Sequence, residues 1–216
     1  MKRNDSLKGI DAILFDLDGT LWDSSAGVAA AWSRALAENA PELRGPITDE
    51  EFRSCMGLQI PDIGAKVFPM LRGAERERLV QACLEREEEW LRSSGGTVYP
   101  RVEETLSVLR GRYALGLISN CQCGYIENFF RLTGLGRYFS DFESFGGTGL
   151  HKSENVRLVM SRNGYGSACY VGDMILDQLA AREAGVPFVY CSYGFGDLDD
   201  YDYRVDSFAQ LLPLFI

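Results

Sequence analysis

The chain of 216 residues is 46% hydrophobic, 25% charged and 12% aromatic, which is ordinary for a globular protein and excludes disordered, collagen-like and low-complexity classes. A chain of this length folds without disulfides or a structural metal, as one large domain or two smaller ones. The 22 basic and 31 acidic residues give a net charge of -9, which argues against nonspecific binding to nucleic acids or anionic membranes. A phosphorylated small molecule stays compatible with this charge, because a bound cation can reverse the sign locally.

The sequence also favours a cytoplasmic protein. No run approaches the roughly 18 apolar residues that span a bilayer, and the charged first 11 residues lack the apolar core of a signal sequence. The cysteines are not spaced as a disulfide framework, so we expect free buried thiols. Cys121 and Cys123 form a C-x-C pair with no second pair, in a chain with a single histidine, which is poor spacing for zinc.

Short apolar runs alternate with amphipathic stretches along most of the chain. The predicted strands are 10–15, 114–118, 168–171 and 186–190, with weaker candidates at 142–145 and 203–205. The predicted helices are 102–110, 125–133, 154–162 and 176–184. Because continuous apolar strands that alternate with helices are typical of a parallel sheet covered on both faces, we expect an α/β fold.

This alternation is interrupted between residues 23 and 95, where no convincing strand occurs. Ser24 or Ser25 can cap a helix with the apolar stripe Val28, Trp32 and Leu36. A second helical stripe follows around residues 79–91, and its acidic opposite face is typical of a solvated surface. Residues 93–96 resemble a hinge. We therefore predict a sheet-based core of residues 1–21 and 96–216, with a helical domain of residues 22–95 inserted after the first strand.

Two carboxylates, those of Asp16 and Asp18, follow the first predicted strand. In an extended chain such residues point the same way, and Gly19 then allows a sharp turn. One carboxylate can attack while the other moves protons. The simpler alternative is a turn with two solvated acids. A calcium loop is excluded, because it needs glycine at its sixth position and glutamate at its twelfth, where this chain has Gly27.

Polar residues also follow two other predicted strands. Ser119 and Asn120 end one of them, and Asp173 follows another, with Asp177 one helical turn later. The carboxyl ends of parallel strands open on one edge of the sheet, where such folds bind ligands. Carboxylates clustered there repel one another unless a hard cation lies between them, and oxygen ligands favour Mg²⁺ over zinc.

Lys152 lies in a stretch that nearly matches the phosphate-binding loop G-x-x-x-x-G-K-[ST]. His151 occupies the place of the required second glycine, so the stretch does not fit a nucleotide-binding loop. A lysine that enters a helix beside acids can instead be the charge partner of a nucleophile and of a transferring phosphoryl group. By itself it would be an ordinary surface lysine.

Four motifs, taken in their order along the chain, resemble those of the haloacid dehalogenase-like superfamily of phosphotransferases. They are D-x-D-G-T at residues 16–20, the pair Ser119-Asn120, Lys152, and G-D-x-x-x-D at residues 172–177. The helical insertion resembles the cap of its phosphoglycolate-phosphatase-like subgroup. Residues 57–61 resemble the position of that subgroup's substrate-reading loop. The resemblance covers nearly the whole chain and implies a Rossmann-like catalytic core with an inserted helical-bundle cap.

The resemblance also implies a reaction. Asp16 would attack phosphorus and become an aspartyl-phosphate. Asp18 would protonate the leaving alkoxide and then deprotonate the water that releases phosphate. Dehalogenases need no acid at this second position, because halide leaves unprotonated, so Asp18 favours phosphate esters. Trp22, beside the start of the insertion, is expected to contribute packing.

The remaining implied roles concern the metal and the substrate. Mg²⁺ would be held by Asp16, the Asp18 carbonyl and Asp173, with Asp177 as a direct ligand or as a support. Ser119 would hold a phosphoryl oxygen, and Lys152 would neutralise charge on Asp16 and the phosphoryl group. The predicted substrate-binding residues are Thr20, Ser119, Asn120 and Lys152.

Three positions depart from the pattern common in the family. Cys121 stands where many relatives have Lys, Ser153 where many have Pro, and Met174 where Thr is frequent. The sequence thus predicts a Mg²⁺-dependent phosphatase for a small phosphorylated metabolite, with no nucleic-acid or membrane partner. The alternatives are a phosphosugar mutase of the same fold and a non-catalytic protein that binds phosphorylated ligands. Neither the particular substrate nor an oligomeric state follows from the sequence.

Overall fold

The computed structural model describes residues 7–216; part of the charged N-terminal stretch, residues 1–6, therefore lies outside the described residues. Its strands are β1 (Ala12–Phe15), β2 (Trp22–Asp23), β3 (Thr97–Val98), β4 (Ala114–Ser119), β5 (Asp141–Ser144), β6 (Ala168–Gly172), β7 (Phe188–Cys191) and β8 (Tyr203–Val205). Its α-helices are α1 (Ser25–Asn39), α2 (Asp49–Arg53), α3 (Ile60–Val67), α4 (Gly73–Ser93), α5 (Val102–Leu109), α6 (Tyr125–Thr133), α7 (Phe145–Thr148), α8 (Lys152–Asn163), α9 (Ile175–Ala184) and α10 (Leu211–Phe215). Short 3₁₀ helices cover Leu135–Tyr138 and Phe208–Gln210.

Six strands form one parallel sheet in the order β5-β4-β1-β6-β7-β8. The α/β prediction is confirmed, including the two weak strand candidates. β1 lies in the middle, paired with β4 on one side and with β6 on the other. Because the three strands run in the same direction, the residues that follow them meet at one edge of the sheet.

Both faces of the sheet are covered by apolar side chains from helices. Ile13 and Phe15 of β1 belong to a cluster that also contains Leu106 of α5 and Phe129 of α6. Leu14, on the opposite face, packs in a cluster with residues of α8 and α9. The alternation follows from the two-residue period of a strand and explains why the whole of β1 is apolar.

Among the element boundaries that differ from the sequence prediction, two have a clear local reason. Helix α8 begins at Lys152, two residues earlier than predicted, because Glu154 accepts a hydrogen bond from the His151 amide and closes the first turn. Strand β7 begins at Phe188 instead of residue 186, because the amide of Val186 still donates to the carbonyl of Ala181 at the end of α9.

Helices α1 to α4, which we call the helical layer, follow β2 and precede β3. They enclose an apolar cluster that contains Val28, Trp32, Leu36 and Cys83. The expected stripe of α1 is thus buried. β2 and β3 form an antiparallel pair at the two ends of this layer. Neither strand was predicted from the sequence, because two residues are too few to show the alternation of a strand. The division at residues 22 and 95 stays a prediction.

The cysteines carry no disulfide. All six are free thiols; Cys121 is partly exposed and Cys123 exposed, whereas the other four are buried. The expectation of buried thiols is wrong at these two positions, because both lie in the loop between β4 and α6. Within residues 7–216, no helix combines the length and the apolar character needed to cross a membrane.

The close approach of the two ends of the helical layer gives a first testable prediction. A Cβ atom at Gly96 would lie 2.6 Å from the carbonyl oxygen of Asp23. Because backbone would have to move, we expect Gly96→Ala to lower the free energy of unfolding by about 1–3 kcal/mol in urea denaturation. Gly45→Ala, whose Cβ meets nothing within 4 Å, is the control and should change it by less than about 0.5 kcal/mol. Equal stability of the two variants would contradict this packing.

Candidate active site

Three neighbouring strands deliver polar residues to the same edge of the sheet. Asp16 directly follows β1, Ser119 is the last residue of β4, and Asp173 directly follows β6. Each is buried, with at most 4% of its surface exposed. The sequence prediction that these residues converge rested on the parallel order of the strands, and the pairing of β1 with both β4 and β6 brings them together.

The turn after β1 depends on Gly19. Its φ of +85° lies in the left-handed region, which side chains other than glycine rarely adopt. A Cβ atom there would lie 2.2 Å from Oδ2 of Asp173. Gly19 therefore allows both the sharp turn and the close approach of the β1 loop to the loop after β6.

Three carboxylates crowd together at this edge. One oxygen from each of Asp16, Asp173 and Asp177 lies within 4.8 Å of the other two. Burial, and then the charge of Asp177, raise the pKa of Asp16 to about 7, although Lys152 opposes the shift. Burial and the charges of Asp177 and Asp16 raise the pKa of Asp173 well above its usual range. The protein by itself thus holds these groups as anions at a considerable energetic cost.

Lys152 partly compensates this charge. Its Nζ donates to Oδ1 of Asp16 at 2.7 Å and to Oδ1 of Asp177 at 2.6 Å. Burial alone would lower the pKa of Lys152, but the charges of Asp16 and Asp177 raise it well above its usual range. The lysine is therefore a buried cation and not the surface residue of the simpler alternative.

The residues fit a hard divalent cation. Ionised Asp16, Asp173 and Asp177 carry three negative charges, and Lys152 supplies one positive charge, which leaves two negative charges uncompensated in a buried cluster. The ligand atoms offered are carboxylate oxygens, which suit Mg²⁺. Both oxygens of Asp177 already accept hydrogen bonds, Oδ1 from Lys152 and Oδ2 from the amides of Asp173 and Met174. These bonds show that Asp177 supports Lys152 and the loop after β6, and its direct binding to metal stays a prediction.

The carboxylate of Asp18 has a different environment. Its Oδ1 accepts hydrogen bonds from Trp22 Nε1 at 2.9 Å, Ser24 Oγ at 2.5 Å and Tyr125 Oη at 3.0 Å. Burial raises the pKa of Asp18, and these three hydrogen bonds oppose the shift. Asp18 is thus held by neutral donors of β2, α6 and the residue before α1.

Two expectations about these donors need correction. Ser24 precedes α1 but does not cap it, and neither does Ser25, because Ser24 donates to Asp18 and Ser25 to Asp23. Trp22 is fully buried and packs against Tyr125, as expected, but it also binds Asp18. The sequence offered no signal for Tyr125, which reaches Asp18 from the start of α6.

The other predicted substrate-binding residues lie nearby in different settings. Ser119 and Asn120 line a cavity together with Asp16 and Asp18. Asn120 Nδ2 donates to the carbonyl of Gly57 at 2.8 Å, which joins the sheet edge to the helical layer. Thr20 is fully buried and its hydroxyl donates to Oδ1 of Asp173 at 3.3 Å. The structure therefore shows Thr20 positioning Asp173, and its contact with a substrate stays a prediction.

The far wall of the cavity belongs to the helical layer. It is formed mainly by apolar side chains of α1, α2 and α3 and by residues 56–58, which overlap the predicted substrate-reading loop. Glu87 of α4 also lines it and is only 5% exposed. The sequence did not distinguish Glu87 as a buried residue, because it stands among other acids on a helix whose acidic face is otherwise solvated.

Comparisons with known proteins agree with this geometry. The family model described as haloacid dehalogenase-like hydrolase matches residues 13–191. The phosphoglycolate phosphatase of Salmonella typhimurium is 29% identical over 97% of this chain and 94% of its own length. The phosphoglycolate phosphatase of Escherichia coli is 28% identical over 94% of this chain and 92% of its own length. The crystal structure of a predicted phosphoglycolate phosphatase from Haemophilus somnus has the same fold, with a TM-score of 0.85, 22% identity and coverage of 96% of this chain and 99% of that one.

The buried cation is tested by removing it. Because Lys152→Met leaves Asp16 and Asp177 without their shared partner, we expect it to lower the free energy of unfolding by about 3–5 kcal/mol in metal-free buffer. Lys8→Met, at an exposed position, should have an effect below about 0.5 kcal/mol. Urea denaturation in the presence of a chelator measures both. A Lys152→Met variant as stable as the wild type would contradict the assigned ion pairs.

Glu87 gives a prediction about pH. Burial raises its pKa from 4.5 to about 7, and the hydrogen bond from Trp32 and the charge of Asp18 have smaller effects. Between these two pH values the folded protein binds more protons at Glu87 than the unfolded chain does. This group therefore makes the free energy of unfolding fall as pH rises, by about 3 kcal/mol over the interval.

Glu87→Gln removes this contribution. The difference in free energy of unfolding, variant minus wild type, should therefore rise by about 1–3 kcal/mol when the pH is raised from 5 to 8. Other titratable groups around Glu87 are Asp18, Tyr125, Cys83 and Cys121, and they are common to both proteins. Urea denaturation at the two pH values measures the difference. A difference that does not change with pH would rule out the buried carboxyl as its source.

Proposed function

The chain belongs to the haloacid dehalogenase-like hydrolase family, and we propose that this enzyme is a Mg²⁺-dependent phosphatase that hydrolyses a small phosphate monoester through an aspartyl-phosphate on Asp16. The observation that carries the proposal is the pairing of two unlike carboxylates on one turn. Asp16 is bound to a buried lysine, whereas Asp18, two residues later, is bound by neutral donors. Unlike surroundings suit the two groups to different tasks. The phosphatases among its relatives support the same reaction class.

In the first half of the reaction, a carboxylate oxygen of Asp16 forms a bond to phosphorus as the bond from phosphorus to the ester oxygen breaks. Asp18, protonated at the start, gives its proton to the departing alkoxide. Lys152 fixes the orientation of Asp16 and places a positive charge beside the reacting oxygen atoms. Positioning and charge stabilisation of this kind are what phosphoryl transfer requires.

In the second half, Asp18 takes a proton from water as the water oxygen attacks the phosphorus of the aspartyl-phosphate. The bond between phosphorus and Asp16 then breaks, inorganic phosphate leaves, and both carboxylates return to their starting states. Ser119, buried at the end of β4, is placed to hold a phosphoryl oxygen. The contacts of Trp22, Ser24 and Tyr125 keep Asp18 in place between the two proton transfers.

The metal site of this proposal consists of Asp16, the backbone carbonyl of Asp18 and Asp173. When bound, Mg²⁺ supplies positive charge that offsets the crowded carboxylates and the phosphoryl oxygens. Thr20 and the amide of Phe195 orient Asp173 through hydrogen bonds to its two oxygens. Asp177 supports the site through Lys152 and the loop after β6.

Residues 22–95 act in this proposal as a cap over the active site. The cap side of the cavity is apolar, so a bound substrate displaces water from the reacting groups. The contact between Asn120 and Gly57 is one of the polar links that must adjust when the cap moves. The six free thiols support a reducing compartment such as the cytoplasm.

Substitution of the nucleophile tests the proposal. With Mg²⁺ and a panel of phosphorylated metabolites, we expect the wild type to release inorganic phosphate, Asp16→Asn to lose at least about a thousandfold in kcat/KM, and Asp18→Asn about a hundredfold or more. Asp199→Asn, at an exposed position, should keep the wild-type rate. Equal release by Asp16→Asn would refute the mechanism. Isomerisation of a phosphosugar without net release of phosphate would instead identify a mutase.

Metal removal tests the cofactor. Because ionisation of all three carboxylates leaves two negative charges that Lys152 does not offset, we expect a chelator to abolish phosphate release and added Mg²⁺ to restore it. Asp173→Asn should need a higher Mg²⁺ concentration for half-maximal rate, since it removes one charged ligand. Full activity in the presence of excess chelator would exclude the proposed metal.

A further inference from the structure

The leaving-group side of the cavity carries a buried carboxylate without a cationic partner. Glu87 Oε2 accepts a hydrogen bond from Trp32 Nε1 at 2.7 Å, and its Oε1 accepts from Gln122 Nε2 at 3.3 Å. Both donors are neutral. Within the described chain, no lysine, arginine or histidine lines this cavity. A carboxylate in such a place is costly to bury unless a ligand brings the opposite charge.

A second acceptor belongs to another residue that lines the cavity. Asn120 lines the cavity, its Nδ2 is committed to the carbonyl of Gly57, and its Oδ1 is buried with no hydrogen-bond donor among the described residues. Buried polar atoms are nearly always paired, so an unpaired acceptor indicates a donor that comes with the ligand. The cavity therefore offers acceptors to a substrate at two points.

These features disfavour, on electrostatic grounds, a substrate whose leaving group carries a carboxylate. A carboxylate in the cavity would face Glu87, and the buried cation Lys152 is already bound to Asp16 and Asp177. Like charges at close range in a partly desolvated cavity repel strongly. An ester of a hydroxy acid, such as phosphoglycolate, is accordingly a poor match for this wall.

We propose, on the basis of the phosphatase function above, that the substrate is the phosphate monoester of a short amino alcohol, whose ammonium group pairs with Glu87. Trp32 and Phe52 present aromatic rings in the same wall, and such rings attract ammonium groups. Val28, Met56 and Ile63 line the space that the methylene groups occupy. The phosphoryl end of the substrate binds beside Asp16 and Lys152. The positive charge of Lys152 thus lies at the phosphoryl end and the negative charge of Glu87 at the ammonium end.

Esters that differ only in the charge of the leaving group test this inference. The probes are phosphoethanolamine, ethyl phosphate and phosphoglycolate, together with the matching three-carbon set, each assayed for phosphate release with Mg²⁺. We expect kcat/KM of the amine ester to exceed that of the neutral ester at least tenfold at one of the two chain lengths. The neutral ester should exceed the carboxylate ester at least tenfold.

Glu87→Gln keeps the shape and the hydrogen bond from Trp32 but removes the charge. It should reduce the ratio of amine to neutral ester at least fivefold and raise the ratio of carboxylate to neutral ester. Each ratio compares the kcat/KM values of two esters on the same enzyme sample. A smaller fraction of folded variant therefore lowers both values equally and leaves the ratio unchanged. Glu85→Gln, on the exposed face of the same helix, is the matched control and should keep both wild-type ratios.

The possible failures are distinguishable. An amine ester no better than the neutral ester at either length, or ratios that Glu87→Gln leaves unchanged, would overturn the amino-alcohol inference while the phosphatase function stands. Release of phosphate from none of these esters and from none of the wider panel of phosphorylated metabolites would overturn the proposed function, and this inference with it.

Discussion

The structure depends on the crowding of three buried carboxylates around one lysine. Asp16 and Asp173 lie in two different loops and Asp177 in the first turn of α9, and one oxygen of each lies within 4.8 Å of the other two. Like charges so close are unfavourable in a buried site, so the surrounding chain must hold them in place. Lys152, at the start of α8, is the internal cation that makes the cluster tolerable, and the residual negative charge is what suits the site to a metal.

Several details of the sheet edge follow from this crowding. Gly19 has no side chain where Asp173 approaches, and Thr20 and the amide of Phe195 bind the same carboxylate. Asp177 uses both oxygens, one on Lys152 and the other on the amides of its own loop. Positions that look independent in sequence are thus joined in one hydrogen-bonded arrangement. Loss of any one charge would change the charge balance of the others.

The cavity is electrostatically asymmetric. Its sheet side is lined by Asp16 and Asp18, and Asp16 is bound to Lys152 and belongs to the metal site of the proposal, an arrangement suited to a phosphoryl group. Its helical side is apolar except for Glu87, whose carboxylate accepts hydrogen bonds only from neutral side chains. The predicted phosphoglycolate phosphatase from Haemophilus somnus has the same fold. In our proposal, specificity arises from the helical layer, where single side chains change the charge that a leaving group meets.

The α/β fold and the positions of Asp16, Ser119 and Asp173 at one edge follow from the sequence alone, because strand periods and strand ends are local patterns and parallel strands share one edge. Tertiary packing was needed to show that Lys152 is buried between Asp16 and Asp177, which side chains surround Asp18, and that Glu87 is buried while Glu88 and Glu89 are exposed. These facts depend on contacts between residues distant in the chain, such as Tyr125 with Asp18 and Trp32 with Glu87. No local pattern encodes them, since the burial and charge of a side chain's surroundings arise only when separate elements pack together.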